Sequence, residues 1–307
     1  MNESAINVDA DEANKLAKLA ESLLVKGRLD DAEIAILSAL KKSQRNGLYY
    51  GILARIYSAQ DRTIAAMEAF RHALSIVPLG AQVHWRFGEF LLKIGEFWEA
   101  EVEIKRAISL YPKESAYHVT LGTLLMRQCF YEAAYSSLQR AIRLDRKNPR
   151  PRMVLAELLA IQGNYYGAEK ALTKALALAP DSSQALLALS KLLEKQGKMD
   201  EALVCTKKMI EHNPNRAAIH ARISKQYRKA GRLDEAIVDM AEACRLEPEN
   251  HAYRVGLASL TASSAASVTT CSIKGREPVS QNDLPISALR LIAKKMFLLF
   301  RRFRKGQ

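Results

Sequence analysis

Apolar residues recur along this chain at helical spacing, in two short runs joined by a turn, and the whole pattern returns every 34 residues. Ala217–Asn250, AAIHARISKQYRKAGRLDEAIVDMAEACRLEPEN, shows one period: two amphipathic runs flank Gly231, Ala236 opens the second, and Pro248 closes it. With Ala217 as position 1, steps of 34 residues give seven units: 13–46, 47–80, 81–114, 115–148, 149–182, 183–216 and 217–250. No insertion or deletion interrupts them. Position 20 is alanine every time: Ala32, Ala66, Ala100, Ala134, Ala168, Ala202 and Ala236. Position 27 is alanine in six units and Met209 in the other. Position 8 is small throughout: Ala20, Ala54, Gly88, Gly122, Ala156, Ser190 and Ser224.

Small residues at these positions let two helix axes approach to about 8–10 Å, and the apolar runs fill the seam between them. Gly27, Gly95, Gly163, Gly197 and Gly231 share position 15, between the runs, where a glycine just past a helix end adopts positive φ. Pro78, Pro112, Pro180, Pro214 and Pro248 share position 32 and end the second helix, since proline cannot continue it. A single pair cannot bury both of its faces, so stacked pairs must share a core.

This pattern resembles the tetratricopeptide-repeat family, a 34-residue helix–turn–helix with small residues at 8, 20 and 27. The resemblance covers residues 13–250 and implies an all-α fold, a right-handed α-solenoid of seven units. The departures are few: position 4 is never tryptophan, Cys129 replaces a turn glycine, and Gln44 and Arg146 replace two of the prolines.

Outside the array, residues 1–12 form an acidic segment with no apolar run, unlike a secretory signal, and Asp9 followed by Glu12 reads as the first helix cap. Residues 251–262 keep the phase of a first helix and are expected to cap the last unit. Residues 263–282, rich in Ser and Thr, read as a flexible linker. Residues 283–307 read as a separate basic amphipathic helix. Its apolar side carries Ile286, Leu289, Ile292, Met296, Phe297, Leu299, Phe300 and Phe303. Its other side carries Arg290, Lys294, Lys295, Arg301 and Arg302. The longest uncharged run there, Met296–Phe300, is far short of the roughly 20 apolar residues a bilayer span needs.

Charge sharpens this picture. The formal net charge is +13, and residues 283–307 hold seven Lys or Arg against one acid. Such a balance favours an anionic membrane surface, an acidic peptide or nucleic acid as partner. Of these, nucleic acid is the less favoured. The helix is expected to lie in the plane of an anionic membrane; the competing expectation is that it docks on the solenoid. Cys129, Cys205, Cys244 and Cys271 have no metal-ligand or redox spacing, which fits a reducing compartment. The expected location is cytoplasmic, at the inner face of a membrane.

No phosphate loop, nucleophile motif or paired-acid motif appears, so no enzymatic role, cofactor, metal or small-molecule substrate is expected. His84, His118 and His220 share position 4, a packing position, and are expected to pack or cap. In the family, positions 2, 5, 6, 9, 12 and 13 line a groove for peptides. Carried over, the middle of that groove would hold Trp85, Arg86, Val119, Thr120, Met126, Arg127, Met153, Val154 and Ile161. So many apolar groups predict an exposed apolar binding patch. The last two units would present Lys191, Lys195, Arg222, Lys225, Arg228 and Lys229, a basic concavity for an acidic ligand. The family's lysine–asparagine clamp for chaperone tails and its asparagine ladder are both absent.

The sequence therefore predicts a non-enzymatic protein-binding adaptor tethered to a membrane surface, of a kind that assists envelope, secretion or polysaccharide assembly. Two alternatives remain open at this stage: an RNA-associated or regulatory protein, and an accessory subunit of an enzyme encoded elsewhere.

Overall fold

The computed structural model describes residues 3–212 and 216–273, with side chains over 11–211 and 216–264. The expected helix at 283–307 lies outside the described residues. Two compact units divide between Ile219 and His220. Among the described residues the chain is all-helical, in consecutive packed pairs, and is an α-solenoid.

In the first unit α1 (Glu3–Val25) pairs with α2 (Leu29–Lys42), α3 (Gly47–Ala59) with α4 (Thr63–Ile76), and α5 (Ala81–Ile94) with α6 (Phe97–Leu110). Then α7 (Ser115–Arg127) pairs with α8 (Tyr131–Leu144), α9 (Arg150–Ile161) with α10 (Tyr165–Leu178), and α11 (Ser183–Lys195) with α12 (Met199–His212). Each second helix also packs on the next first helix, and successive first helices lie side by side. The second unit holds α13 (Ala217–Lys229) from His220 onward, with α14 (Leu233–Leu246) and α15 (His251–Ile273).

The repeat positions do what their sizes predict. All seven position-20 alanines are fully buried. A Cβ on Gly88 would lie 2.6 Å from Ile104 Cγ1, and one on Gly122 2.8 Å from Leu138 Cγ, so these pairs close only over glycine. Where position 8 is serine, its hydroxyl is bonded: Ser190 to Thr206 at 2.9 Å, and Ser224 to the Ala236 carbonyl at 2.6 Å. A buried hydroxyl left unbonded would be costly.

Position 15 is left-handed in every unit, including Asp61 at φ 58° and Cys129 at φ 64°. A side chain in that region costs about 1–2 kcal/mol against glycine. The turn geometry thus belongs to the stacking, and glycine only makes it easy.

The structure departs from the sequence reading at both ends of the array. α1 starts at Glu3, so Asp9 lies inside the helix and is no cap. Residues 3–12 contain no Gly or Pro to stop a helix, and their acids favour its positive end. α15 runs to Ile273, well past the cap expected at 251–262 and into the stretch read as linker. No Gly or Pro lies between Gly256 and Ile273, and described polar side chains of α15 bond back to the helix. Thr261 donates to the Leu257 carbonyl and Ser263 to that of Ser259, at 3.1 and 2.8 Å.

Candidate functional site

In the first unit no residue at positions 2, 9 and 13 of the first helices is buried, and these positions share one face of each helix. In the N-terminal part of this unit, charges neutralise one another across repeats. Arg55 Nη1 donates to Glu21 Oε1 at 2.8 Å, from position 9 to position 9 one repeat earlier. Arg86 Nη1 donates to Glu89 Oε2 at 2.8 Å, and Arg150, two repeats on, reaches the other Glu89 oxygen at 3.7 Å. Lys93 pairs with Asp61 at 3.0 Å. Glu89 thus joins α5 to α9, which sequence reasoning missed. The legible signal was position 9 itself, where Glu21, Arg55 and Glu89 alternate in sign.

Further along, cations stand open. Arg127 on α7 and Lys191 and Lys195 on α11 are exposed and make no ion pair with a described residue. The same holds for Lys225 and Arg228 in the second unit, while Lys229 is exposed and Arg222 half-buried, both with partners. By contrast Arg232 and Arg245 in that unit are paired with Glu235 and Glu242. Glu157 is an exposed acid on the same face of the first unit.

The apolar patch expected in the middle is corrected by the structure. Trp85 is only 8% exposed and Val119 2%, and Thr120 and Met126 are likewise buried. Trp85 Nε1 donates to Thr120 Oγ1 at 2.8 Å, its ring lies 5.4 Å from that of Tyr117, and the Arg86 guanidinium covers it at 4.0 Å. The physical reason is the side-by-side packing of first helices: position 5 faces the neighbouring helix rather than solvent. Met153 and Val154 are half-buried for the same reason. Of the expected apolar set only Ile161, 53% exposed, faces solvent. Trp85→Ala would therefore test the α5–α7 seam, not a ligand contact.

The position-4 histidines pack and bond as expected. His84 Nδ1 contacts Glu103 Oε2 at 2.6 Å and Nε2 contacts the Pro78 carbonyl at 3.0 Å. His118 Nε2 meets the Pro112 carbonyl, and His220 Nδ1 meets Asp239. Both partners of His84 are acceptors, so only the imidazolium satisfies both. The Glu103 hydrogen bond raises the His84 pKa, burial opposes it, the Pro78 carbonyl aids it, and Arg106 acts against it. A raised folded pKa gives stability that is full below the unfolded value and lost as pH rises through the folded one. His84→Gln is accordingly expected to cost most below about pH 6.5, the unperturbed histidine value, and progressively less above it. Urea melts at intervals from pH 5.5 to 9 would measure this; a penalty that grows with pH would contradict it.

Among the described residues no helix is long and apolar enough to cross a membrane, and no His, Cys, Asp and Glu group is arranged to hold a metal ion.

Comparison with known proteins places these features. Family profiles described as tetratricopeptide repeat match residues 159–225 and 48–78. No curated protein matches the sequence. Yeast Tom70 has a similar structure, with TM-score 0.68 and 18% identity, over 86% of this chain and 55% of Tom70. A tetratricopeptide repeat protein from Parabacteroides merdae gives 0.56 and 18%, over 82% of this chain and 99% of its own. PilW, a widely conserved type IV pilus biogenesis factor, gives 0.57 and 23%, over 66% and 94%. At these identities the likeness is one of fold. The 34-residue register, the buried small positions and the profile matches over residues 48–78 and 159–225 support, with that fold likeness, a tetratricopeptide-repeat family for this chain.

Proposed function

We propose that this protein is a non-enzymatic adaptor that holds acidic stretches of another protein on the open cations of its first helices. The observation that carries the reading is the unneutralised charge. Arg127, Lys191 and Lys195 in the first unit, and Lys225 and Arg228 in the second, are exposed and make no ion pair with a described residue, whereas Arg55, Arg86, Lys93 and Arg150 on first helices of the first unit are paired. Exposed like charges one turn apart on a helix, Lys191 and Lys195 on α11 and Lys225 and Arg228 on α13, repel, so a bound acidic ligand would relieve a cost the free protein bears. The binding is expected to weaken with salt, because these groups lie in water.

The likeness to a pilus biogenesis factor supports a role beside an envelope assembly, and we place the chain at the cytoplasmic face of a membrane. Residues 283–307 would supply the tether. Their basic residues contribute about 1 kcal/mol each near an anionic surface, enough together for reversible attachment. The full chain is expected to pellet with vesicles containing phosphatidylserine at low salt, and a chain ending at Asn282 to remain in the supernatant. Equal behaviour of the two would remove the tether from the proposal.

For the adaptor itself, proteins co-purifying with the full chain would be compared with those held by a Lys191→Glu, Lys195→Glu, Lys225→Glu, Arg228→Glu variant. Loss of specific proteins from a variant that melts normally is the expected result. Retention of the same set would show that these cations are not the working surface. Loss on nuclease treatment would favour RNA as the partner.

A further inference from the structure

The second unit holds a cavity of about 120 Å³ lined by residues of α13, α14 and α15. Its buried lining is apolar, with Ala221, Met240 and Leu260 contributing. Its exposed lining includes Lys225 and Arg228, which make no ion pair with a described residue. Ser224 also borders it, but its hydroxyl hydrogen is already donated to the Ala236 carbonyl. Half-buried Tyr253 is also part of the lining, which therefore offers apolar and aromatic contact together with positive charge on its exposed side.

At one wall the backbone of α15 and the Met240 side chain are in close contact. Gly256 lies within α15, at a helical position where no positive φ calls for glycine. A Cβ there would come within 3.2 Å of the Met240 methyl group and project into the lining. Glycine inside a helix is disfavoured, and here it lets Met240 pack against α15 at the cavity wall. An apolar cavity of roughly 150 Å³ accommodates benzene. One of this size takes a single branched aliphatic side chain and is too small for an acyl chain.

We propose that this cavity anchors one leucine-class side chain of an acidic protein segment, with flanking Asp or Glu carboxylates held by Lys225 and Arg228. The inference rests on the adaptor reading and narrows it: the ligand must carry an aliphatic anchor as well as negative charge. Charge complementarity selects this occupant, since two open cations flank an apolar opening of side-chain size.

The test titrates the full chain with the capped peptide acetyl-Asp-Glu-Leu-Glu-Asp-amide, followed by the Met240 methyl signal and by calorimetry. The same peptide with alanine for leucine is expected to bind at least about tenfold more weakly, the loss expected on removing a buried aliphatic side chain. Ala252→Leu, at an exposed position of the lining, should obstruct the opening and weaken the leucine peptide alone. Gly256→Leu fills the same space from within and serves if the first substitution disturbs α15. Lys225→Gln with Arg228→Gln should weaken both peptides and flatten their salt dependence. Equal affinity for the two peptides would reduce the site to charge alone and overturn the proposal. So would absence of binding by either at millimolar concentration, or binding of octanoate in place of peptide. In all three cases the adaptor reading is judged separately, by the proteins that co-purify with the full chain.

Discussion

Phe70→Ala is expected to lower stability by about 3–5 kcal/mol, the largest effect of any single substitution considered for this protein. Phe70 is among the largest fully buried side chains and sits where one repeat meets the next. From α4 its ring lies 5.1 Å from Phe87 and 5.5 Å from Phe90, both on α5. Alanine would leave a void that these rings cannot fill without leaving their rotamers, and the aromatic pairing would be lost as well. In a stack of nearest-neighbour contacts the damage should stay local. Hydrogen exchange is therefore expected to rise across α3–α6 and to change little in α9 and α10. Phe70→Leu should lose much less. A melting curve unchanged by Phe70→Ala would contradict the assignment of this residue to the junction.

The second large effect is expected from overpacking. Ala134, at position 20 of α8, is fully buried, and its carbonyl oxygen would lie 3.4 Å from a Cβ on Gly122. Leu138, one turn on, already fills the space that Gly122 leaves. Ala134→Leu adds three carbons to a seam with no room and should cost roughly 1–3 kcal/mol. Exchange in α7 and α8 should report it first. Normal stability and normal exchange in this variant would contradict the close α7–α8 packing. Ala134→Gly provides the contrast: it creates no clash and should cost about 1 kcal/mol through helix propensity alone.

These two sites differ in how they were found. Ala134 was legible from the sequence, because a residue small in every repeat must lie where helices touch. The aromatic cluster was legible only as an apolar run; that Phe70 reaches two rings on the following helix depends on how the repeats stack. Trp85 marks the other limit. Its position number placed it on a groove, and its size suggested a ligand contact. In the fold it belongs to the seam between α5 and α7, tied to Thr120 and covered by Arg86. Position within a repeat tells which way a side chain leaves its own helix. It does not tell how closely the next first helix lies.

By itself the sequence determined the repeat length, the pairing of helices, the turns and the buried small positions, because each follows from local sterics repeated seven times. It also located the basic residues. Only the tertiary structure decided which of those charges are spent inside the fold. Glu21–Arg55 and Arg86–Glu89–Arg150 join residues one or two repeats apart, whereas Arg127, Lys191 and Lys195 are left open. The small cavity beside Lys225 and Arg228 is of the same kind. Its walls come from three helices, α13, α14 and α15, so no single stretch of sequence could reveal it. Local pattern fixes the units; the distances between units, where charge and volume are finally balanced, are set by packing.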